Sequence, residues 1–467
     1  MKKSLFCLVL LVLVSVGGLT AAHVTVKQTV EDVVLQEHTV QGNLDTARDL
    51  QLSMKARNMN FFHWNLTFTP GGEPQTTCFY PEDPTPALNP DELPMPDITL
   101  MERDSIHGTL NDLDPQELGW MDQPIQEALS RTKSGASCQE VIRMRDYQEF
   151  FPLEISLHYL PAGSDTASAP AWESLLWQDY QLGQAQGYDT APYQVLQDFA
   201  DRFRFPVPED FTLDLALSKG EDGIFQAELE PMETVSFETC CASSNGYLYF
   251  IVLARDEQGS LLDYSHTPNG YGLYRFPLPR GSAPSSLDEL EFMMLLPAPR
   301  RIYLDTDADG NLLLLTQEGR QSLLRVLDGK TGAVRQEIPL WKTAEPTPWF
   351  GYFLQDDLLM PLKEDDAFLL FQRKQGVYQL QFAGRLPDDP PFSLGCRYPT
   401  RLAYDGNRMV VLRDVYDSTG NTACMLTLSV HGPDGLQYAG YFENSLDDGQ
   451  DSVYSVEHSV HFQNSGT

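Results

Sequence analysis

The chain is patterned as short apolar runs cut by polar turns. The pattern is clearest over Arg301–Leu340, RIYLDTDADGNLLLLTQEGRQSLLRVLDGKTGAVRQEIPL. Ile302–Leu304, Leu312–Leu315 and Leu323–Leu327 are apolar runs, and Ala333–Ile338 is a fourth run. Asp-Ala-Asp-Gly-Asn, Gln-Glu-Gly and Asp-Gly-Lys-Thr-Gly separate them. Runs of this length between Gly and Asp turns predict a four-stranded antiparallel meander.

The same unit recurs. Tyr247–Ala254, Leu312–Leu315, Leu358–Leu362 and Met409–Leu412 are similar apolar strands, each behind a short polar turn. The turn anchors Gly310, Asp356 and Gly406 lie 46 and 50 residues apart, and Gly246 precedes Gly310 by 64. A period near 40–50 with four strands per unit is that of propeller blades. Four blades are predicted, at Phe211–Pro279, Pro299–Leu340, Pro348–Leu386 and Thr400–Phe442. The predicted fold is therefore mainly β, an irregular β-propeller of four-stranded antiparallel meanders with a few inserted helices. The rival is a β-sandwich plus an open meander.

Further strands come from earlier in the chain. Leu50, Leu52 and Met54 alternate with polar residues, as do Phe62, Trp64, Leu66 and Phe68, which predicts a hairpin through Arg57-Asn58 that ends at Pro70-Gly71-Gly72. Val141–Met144 and Leu153–Tyr159 also read as strands. A closed ring needs strands beyond the four blades. The alternating run Ser452–Val456 has no meander of its own, so it is expected to meet the Leu50–Lys55 and Phe61–Thr69 strands in one sheet. Helices are predicted over Asp122–Ser134, stopped by Gly135, and after Asp189, where Val195, Leu196, Phe199 and Phe203 share one face. The proline-dense Pro81–Pro96 reads as a loop or linker. The organisation is then residues 1–22 as a leader, 23–80 as N-terminal strands, 81–139 as a Pro-rich loop and helical insertion, and 140–467 as the propeller-like domain.

Charge narrows the function classes. Lys and Arg number 32 against 66 Asp and Glu, a net charge of −34. Such a balance disfavours phosphate-backbone binding and electrostatic docking on anionic lipid. No nucleic-acid partner is expected. At the N-terminus Lys2 and Lys3 precede the apolar Leu5–Val16 run, and Thr20 and Ala22 sit at the −3 and −1 places of a small-residue cleavage site. This predicts export. The competing reading is an uncleaved anchor over Leu5–Ala22, the one route to a membrane association. Sequencing the N-terminus of exported protein is expected to give a start at or near His23; finding Met1 on membrane-bound protein would replace secretion with anchoring.

Cys7 leaves with the leader, and Cys78, Cys138, Cys240, Cys241, Cys396 and Cys424 remain. An even number outside the cytosol is compatible with disulfides, and buried thiols are an equally good reading in a domain of this size. Adjacent Cys240 and Cys241 are expected on opposite faces of a strand.

The segment Asp49–Tyr80, DLQLSMKARNMNFFHWNLTFTPGGEPQTTCFY, follows a signal-like start and precedes D-x-D-G-N-type blades. In this it resembles exported β-propeller-like proteins of clostridial-type Firmicutes, a group with no known function. The resemblance implies an extracytoplasmic setting and transfers no reaction and no site residues.

Candidate chemistry is sparse. Asp305, Asp307, Asp309 and Gly310 match positions 1, 3, 5 and 6 of an EF-hand loop, which suits calcium. Position 12, where a bidentate acid belongs, is Thr316, and the flanks read as strand, so these residues are expected to form a turn. No other cofactor is implied. Trp64 is expected in the core with His63 on the other face; His458 and His461 are expected on opposite faces of a strand, too far apart to share a metal. The function expected is non-catalytic binding or scaffolding at the cell surface, toward a protein, peptide or glycan ligand. The alternative is a carbohydrate-active propeller hydrolase or lyase that uses carboxylates at the funnel mouth.

Overall fold

The structure, a computed structural model, describes residues 35–58, 63–79, 95–102, 106–109, 119–160, 201–222, 224–277, 289–297, 301–342, 351–363, 365–387, 399–414, 424–444 and 453–463. Residues 1–22, expected from the sequence to be a leader, lie outside them, as do most of Pro81–Pro96 and Val195, Leu196 and Phe199.

Strand β1 is Leu35–Gly42, β2 Leu50–Asn58, β3 His63–Phe68, β4 Gln75–Phe79, β5 Met95–Glu102 and β6 Ile106–Thr109. Helix α1, Asp122–Arg131, precedes β7, Ala136–Arg143, and β8, Leu153–Leu160. Then come β9 Thr212–Lys219, β10 Phe225–Pro231, β11 Ser236–Ser244, β12 Tyr247–Arg255, β13 Gly272–Pro277 and β14 Glu291–Leu295. The next meander is β15 Arg301–Thr306, β16 Leu312–Glu318, β17 Gln321–Leu327 and β18 Val334–Lys342. The one after is β19 Gly351–Gln355, β20 Leu358–Leu362, β21 Ala367–Lys374 and β22 Val377–Arg385. The last strands are β23 Pro399–Tyr404, β24 Met409–Asp414, β25 Cys424–Gly432, β26 Gly435–Asn444 and β27 Val453–Phe462.

The fold is mainly β, built of four-stranded antiparallel meanders of the propeller-blade type, and the chain forms two compact units. Unit 1 joins both ends of the chain, Met1–Ala87 and Trp349–Thr467; unit 2 is Leu88–Pro348.

In unit 1 the sheets are β19-β20-β21-β22, β1-β26-β25-β24-β23 and β27-β2-β3-β4. The middle one is covered on both faces. Val410 and Leu412 of β24 pack with Leu52, Trp64, Leu66 and Phe462 of the third sheet. Met409 and Val411, the alternate positions, pack with Met360, Phe368 and Leu370 of the first. A strand buried on both faces has no polar face to show, which is why the sequence there is a continuous apolar run and not an alternation. In the third sheet β2 alternates, with Leu50, Leu52 and Met54 all at most 3% exposed.

Strands from the two ends of the chain do meet in one sheet: β27 runs antiparallel to β2, from Leu50 opposite Phe462 to Asn58 opposite Val453. Strand β1 likewise adds to β26. Arg408 ties the three segments together. It bonds Asp49 at 2.6 Å and Asp405 at 2.9 Å, donates to the Thr46 carbonyl at 3.0 Å, and lies 4.8 Å from the centre of the Phe462 ring.

Unit 2 repeats the layering. Its sheets are β6-β10-β9-β7, β11-β12-β13-β14 and β15-β16-β17-β18, with the pair β5-β8. On β12, Leu248, Phe250, Val252 and Ala254 face a cluster that includes Phe203, Phe205, Phe211 and Leu215. Tyr249, Ile251 and Leu253 face Ile302, Leu304, Leu312 and Leu314.

One predicted blade is corrected. Phe211–Pro279 is not a single unit: β9 and β10 belong to a separate sheet with β6 and β7, and the blade proper runs from Ser236 to Leu295. The long-range partners of β9 and β10 explain the difference, since Ile106–Thr109 pairs with β10 and Ala136–Arg143 with β9. Among the described residues no helix is long and apolar enough to cross a membrane.

Candidate functional site

Helix α1 and strand β7 frame an open depression of about 250 Å³ in unit 2, lined by Pro124, Arg131, Glu140, Ile142, Asp146 and Tyr147 among others. Local chemistry sets α1. Asp122 stands in its first turn and Arg131 in its last, which complements the helix dipole. Pro124, Ile125 and Ala128 form the buried stripe. Thr132 leaves the helix in an extended conformation, its N–H and its Oγ1 both donating to the Ala128 carbonyl. Gly135, at φ +76°, then turns the chain into β7, so Arg131 at the helix end comes beside Glu140 on the strand.

Arg131 donates to both Glu140 oxygens, Nη2 at 2.5 Å and Nε at 3.3 Å. The pairing raises the Arg131 pKa above its ordinary value. Glu127 accepts from Gln123 at 3.0 Å and from the Tyr147 hydroxyl at 3.0 Å. These two bonds, with the Arg131 charge, hold its carboxyl below the usual range. Tyr147 moves up, from burial first and then from donating to Glu127. β7 is an edge strand of its sheet among the described residues, and Val141, next in sequence to Glu140, is 63% exposed on the strand's other face. Nothing in the sequence marks the site by motif. The signals available were an apolar residue on an edge strand and an Arg and a Glu brought together by a helix-to-strand turn.

The aspartates singled out in the sequence occupy a different place, the β15–β16 corner. Asp307 is 6% exposed, and its Oδ1 accepts from the N–H groups of Asp309 at 3.0 Å and Asn311 at 2.9 Å; the Asn311 side-chain amide adds a bond to each oxygen. Asp305 stands on β15, its Oδ1 accepting from the Thr306 N–H at 2.7 Å, and Asp309 is exposed at the turn. Asn311 in turn accepts from Arg335, which pairs with Asp328. Bonds from the Thr331 N–H and hydroxyl, then from Arg335, hold the Asp328 carboxyl well below its ordinary range. The corner packs tightly: a Cβ on Gly329 would stand 2.2 Å from the Gly310 carbonyl oxygen.

Thr316, the twelfth position, lies well up β16, in register with Ile302. Its hydroxyl donates to Glu318, which pairs with Arg325. Burial pushes the Glu318 pKa up, but the bonds from Arg325 and Thr316 outweigh it and leave the carboxyl below its ordinary value. Among the described residues no group of three or more His, Cys, Asp or Glu is placed to hold a metal ion. Chelator titration is expected to leave the melting temperature unchanged. Asp307→Ala, which leaves buried N–H groups without their acceptor, is expected to cost about 2 kcal/mol in a urea melt. A melting point that falls with chelator and recovers with calcium would make the corner a cation site.

Trp64 is 2% exposed, in the core. His458 is 8% exposed, whereas His461 on the other face is exposed and bonds Gln51 at 3.0 Å. The two faces keep the imidazoles apart. Cys138, Cys240 and Cys241 carry thiols. Cys240 packs into the cluster with Ile302, and Cys241 into the one with Phe250, so the adjacent pair divides between the two faces of β11.

No protein-family model and no curated protein matches the chain. Solved structures do show likeness. The S. cerevisiae assembly of Dbp5 bound to Nup159 and Gle1 is matched at TM-score 0.23 and 14% identity, over 46% of this chain and 63% of that one. The Myceliophteria thermophila Cps50 (Swd1) β-propeller domain is matched at TM-score 0.22 and 12% identity, over 51% and 84%. The Pseudomonas aeruginosa periplasmic gluconolactonase PpgL is matched at TM-score 0.27 and 15% identity, over 55% and 70%. In the first of these the match spans less than two thirds of the solved chain.

Proposed function

We propose that this chain is an exported binding or scaffolding protein, secreted or held at the outer face of the cytoplasmic membrane, that captures a protein, peptide or glycan ligand on its blades without catalysis. The observation that carries the reading is the state of the carboxylates at the depression beside β7. Glu140 is clamped by Arg131, and Glu127 is held ionised by Gln123 and Tyr147. A glycosidase acid needs the opposite, a carboxyl whose pKa is raised so that it keeps a proton near neutrality. Partnered carboxylates and an exposed apolar residue on one edge strand suit recognition instead, where polar groups fix orientation and the strand edge offers backbone bonds. The basic, apolar and small-residue order of residues 1–22 supports the exported setting.

The test is binding of residues 23–467 to a glycan array and to an array of unstructured peptides, with Val141→Asp as the variant. Val141 is exposed, so folding is expected to be kept while capture falls at least tenfold. Release of reducing ends from a polysaccharide panel, abolished by Glu127→Gln or Glu140→Gln, would overturn the reading in favour of a hydrolase or lyase.

A further inference from the structure

We propose that β27 is an acid-sensitive latch on unit 1: proton uptake by His458, beside Arg401, releases β27 from β2 and opens the sheet that joins the two ends of the chain. The argument begins with position. Among the described residues β27 is an edge strand of β27-β2-β3-β4, and β2 is its hydrogen-bonded partner there. His458 stands opposite Met54, itself 3% exposed, on the same face as Val460 and Phe462, which are buried against Leu50, Leu52 and Val410. An imidazole there sits among apolar side chains and not in water.

Among the described residues, β2, β23 and β24 lie nearest to β27. β2 presents Leu50, Leu52 and Met54, and β24 presents Val410 and Leu412. β23 presents Ala403 and Arg401, and Arg401 donates through Nε to the His458 carbonyl oxygen at 2.8 Å. Arg401 therefore brings a positive charge to His458. Lys55, on β2, is in register with Glu457 one position along. Beyond Phe462 the charged groups are Arg408, Asp49 and Asp405, already bonded together. A second buried imidazole, His431 on β25, bonds Ser429 at 2.9 Å and meets Phe368 on the opposite face of the middle sheet.

Burial first, and then the Arg401 charge, lower the His458 pKa to about 4. A group depressed when folded contributes its stability above the ordinary imidazole value, near 6.5, and loses it as pH falls toward the folded value. Between those limits the opened form takes a proton that the latched form refuses. For a shift of this size the opening equilibrium rises roughly 20-fold between pH 7 and pH 5. Burial and the Arg413 charge lower His431 further, to about 3, in the same direction. His431 sits on an inner strand, so its protonation requires breaking the middle sheet and not merely lifting an edge.

The experiment is amide hydrogen exchange on the full chain at pH 7 and pH 5, corrected for intrinsic rates. Protection of residues 453–463 and of β2 is expected to fall by about the same 20-fold at pH 5, while β24 and β25 stay protected. His458→Gln is expected to abolish that pH dependence, and His431→Gln to keep it. Should His458→Gln fail to fold, Arg401→Gln is the second variant: without the facing charge the imidazole titrates closer to its ordinary value, and the pH dependence becomes shallower. Unchanged protection of 453–463 at pH 5, or a dependence that survives His458→Gln, or one that Arg401→Gln leaves as steep, would overturn the latch.

Discussion

A chain lacking residues 452–467 is expected to lose on the order of 5 kcal/mol of stability and to be cut early by protease within residues 49–68. The deletion removes the whole ladder between β27 and β2. It also uncovers the β2 edge and strips Val460 and Phe462, 9% and 6% exposed, from the core of unit 1. Burying two such side chains contributes roughly 1.5–3 kcal/mol each, and ladder bonds add about 1 kcal/mol apiece before the entropy of ordering the strand is subtracted. Arg408 loses the Phe462 ring it stacks on, and the Asp49 carbonyl loses the Gln463 N–H. With its outer partner gone, β2 becomes an unprotected edge, and an edge strand is where local opening and cleavage begin. A truncated protein that melts with the full chain would make β27 a loose appendage and remove its role as the closing strand.

The elements written into the chain most plainly are those whose burial leaves no choice of face. Leu312–Leu315 and Met409–Leu412 are apolar and buried at every position, sheets cover both sides of the second, and each is a middle strand of its sheet as the runs imply. Leu50, Leu52 and Met54 show their single covered face by alternation. The expected pairing of the terminal run with the N-terminal strands was legible because both lacked local partners. Partners distant in sequence were not legible. β9 and β10 alternate like strands of a one-sided sheet, but nothing local says that they pair with β7 and β6 and not with β11. β14 was missed because it follows a Pro- and Ser-rich stretch, where a meander reading stops.

The site was less legible than the fold. At the β15–β16 corner the D-x-D-G-N spelling carries its own explanation, because short acceptors at fixed offsets cap nearby N–H groups whatever the surroundings. Asp307 does this within its own loop. The depression beside β7 depends on a helix end and a strand nine residues later coming side by side, and on Tyr147 reaching back twenty residues to Glu127. Such pairings are made by packing, not by spacing, and the chain has so many carboxylates that none stands out alone.

Phe250→Ala is expected to have a comparably large effect in unit 2, about 3–5 kcal/mol. Phe250 lies at the centre of β12 and is wholly buried. Its ring stacks with Tyr274 at 5.5 Å between centroids and meets Phe203 at 5.5 Å and Phe276 at 5.9 Å edge-on. Truncation removes the ring that fills the space between these neighbours, and β12 is held from both faces: Tyr249 and Ile251 are fixed in the other cluster. The strand therefore cannot sink toward the void to close it, which puts the cost at the upper end for a core aromatic. Val141→Ala, at a 63% exposed position on β7, is the control and is expected to stay within about 0.5 kcal/mol. Urea unfolding followed by far-UV circular dichroism measures both. If Phe250→Ala unfolds with the midpoint of Val141→Ala, then β12 is not clamped between two packed faces, and the blade-on-blade layering of unit 2 is wrong at its centre.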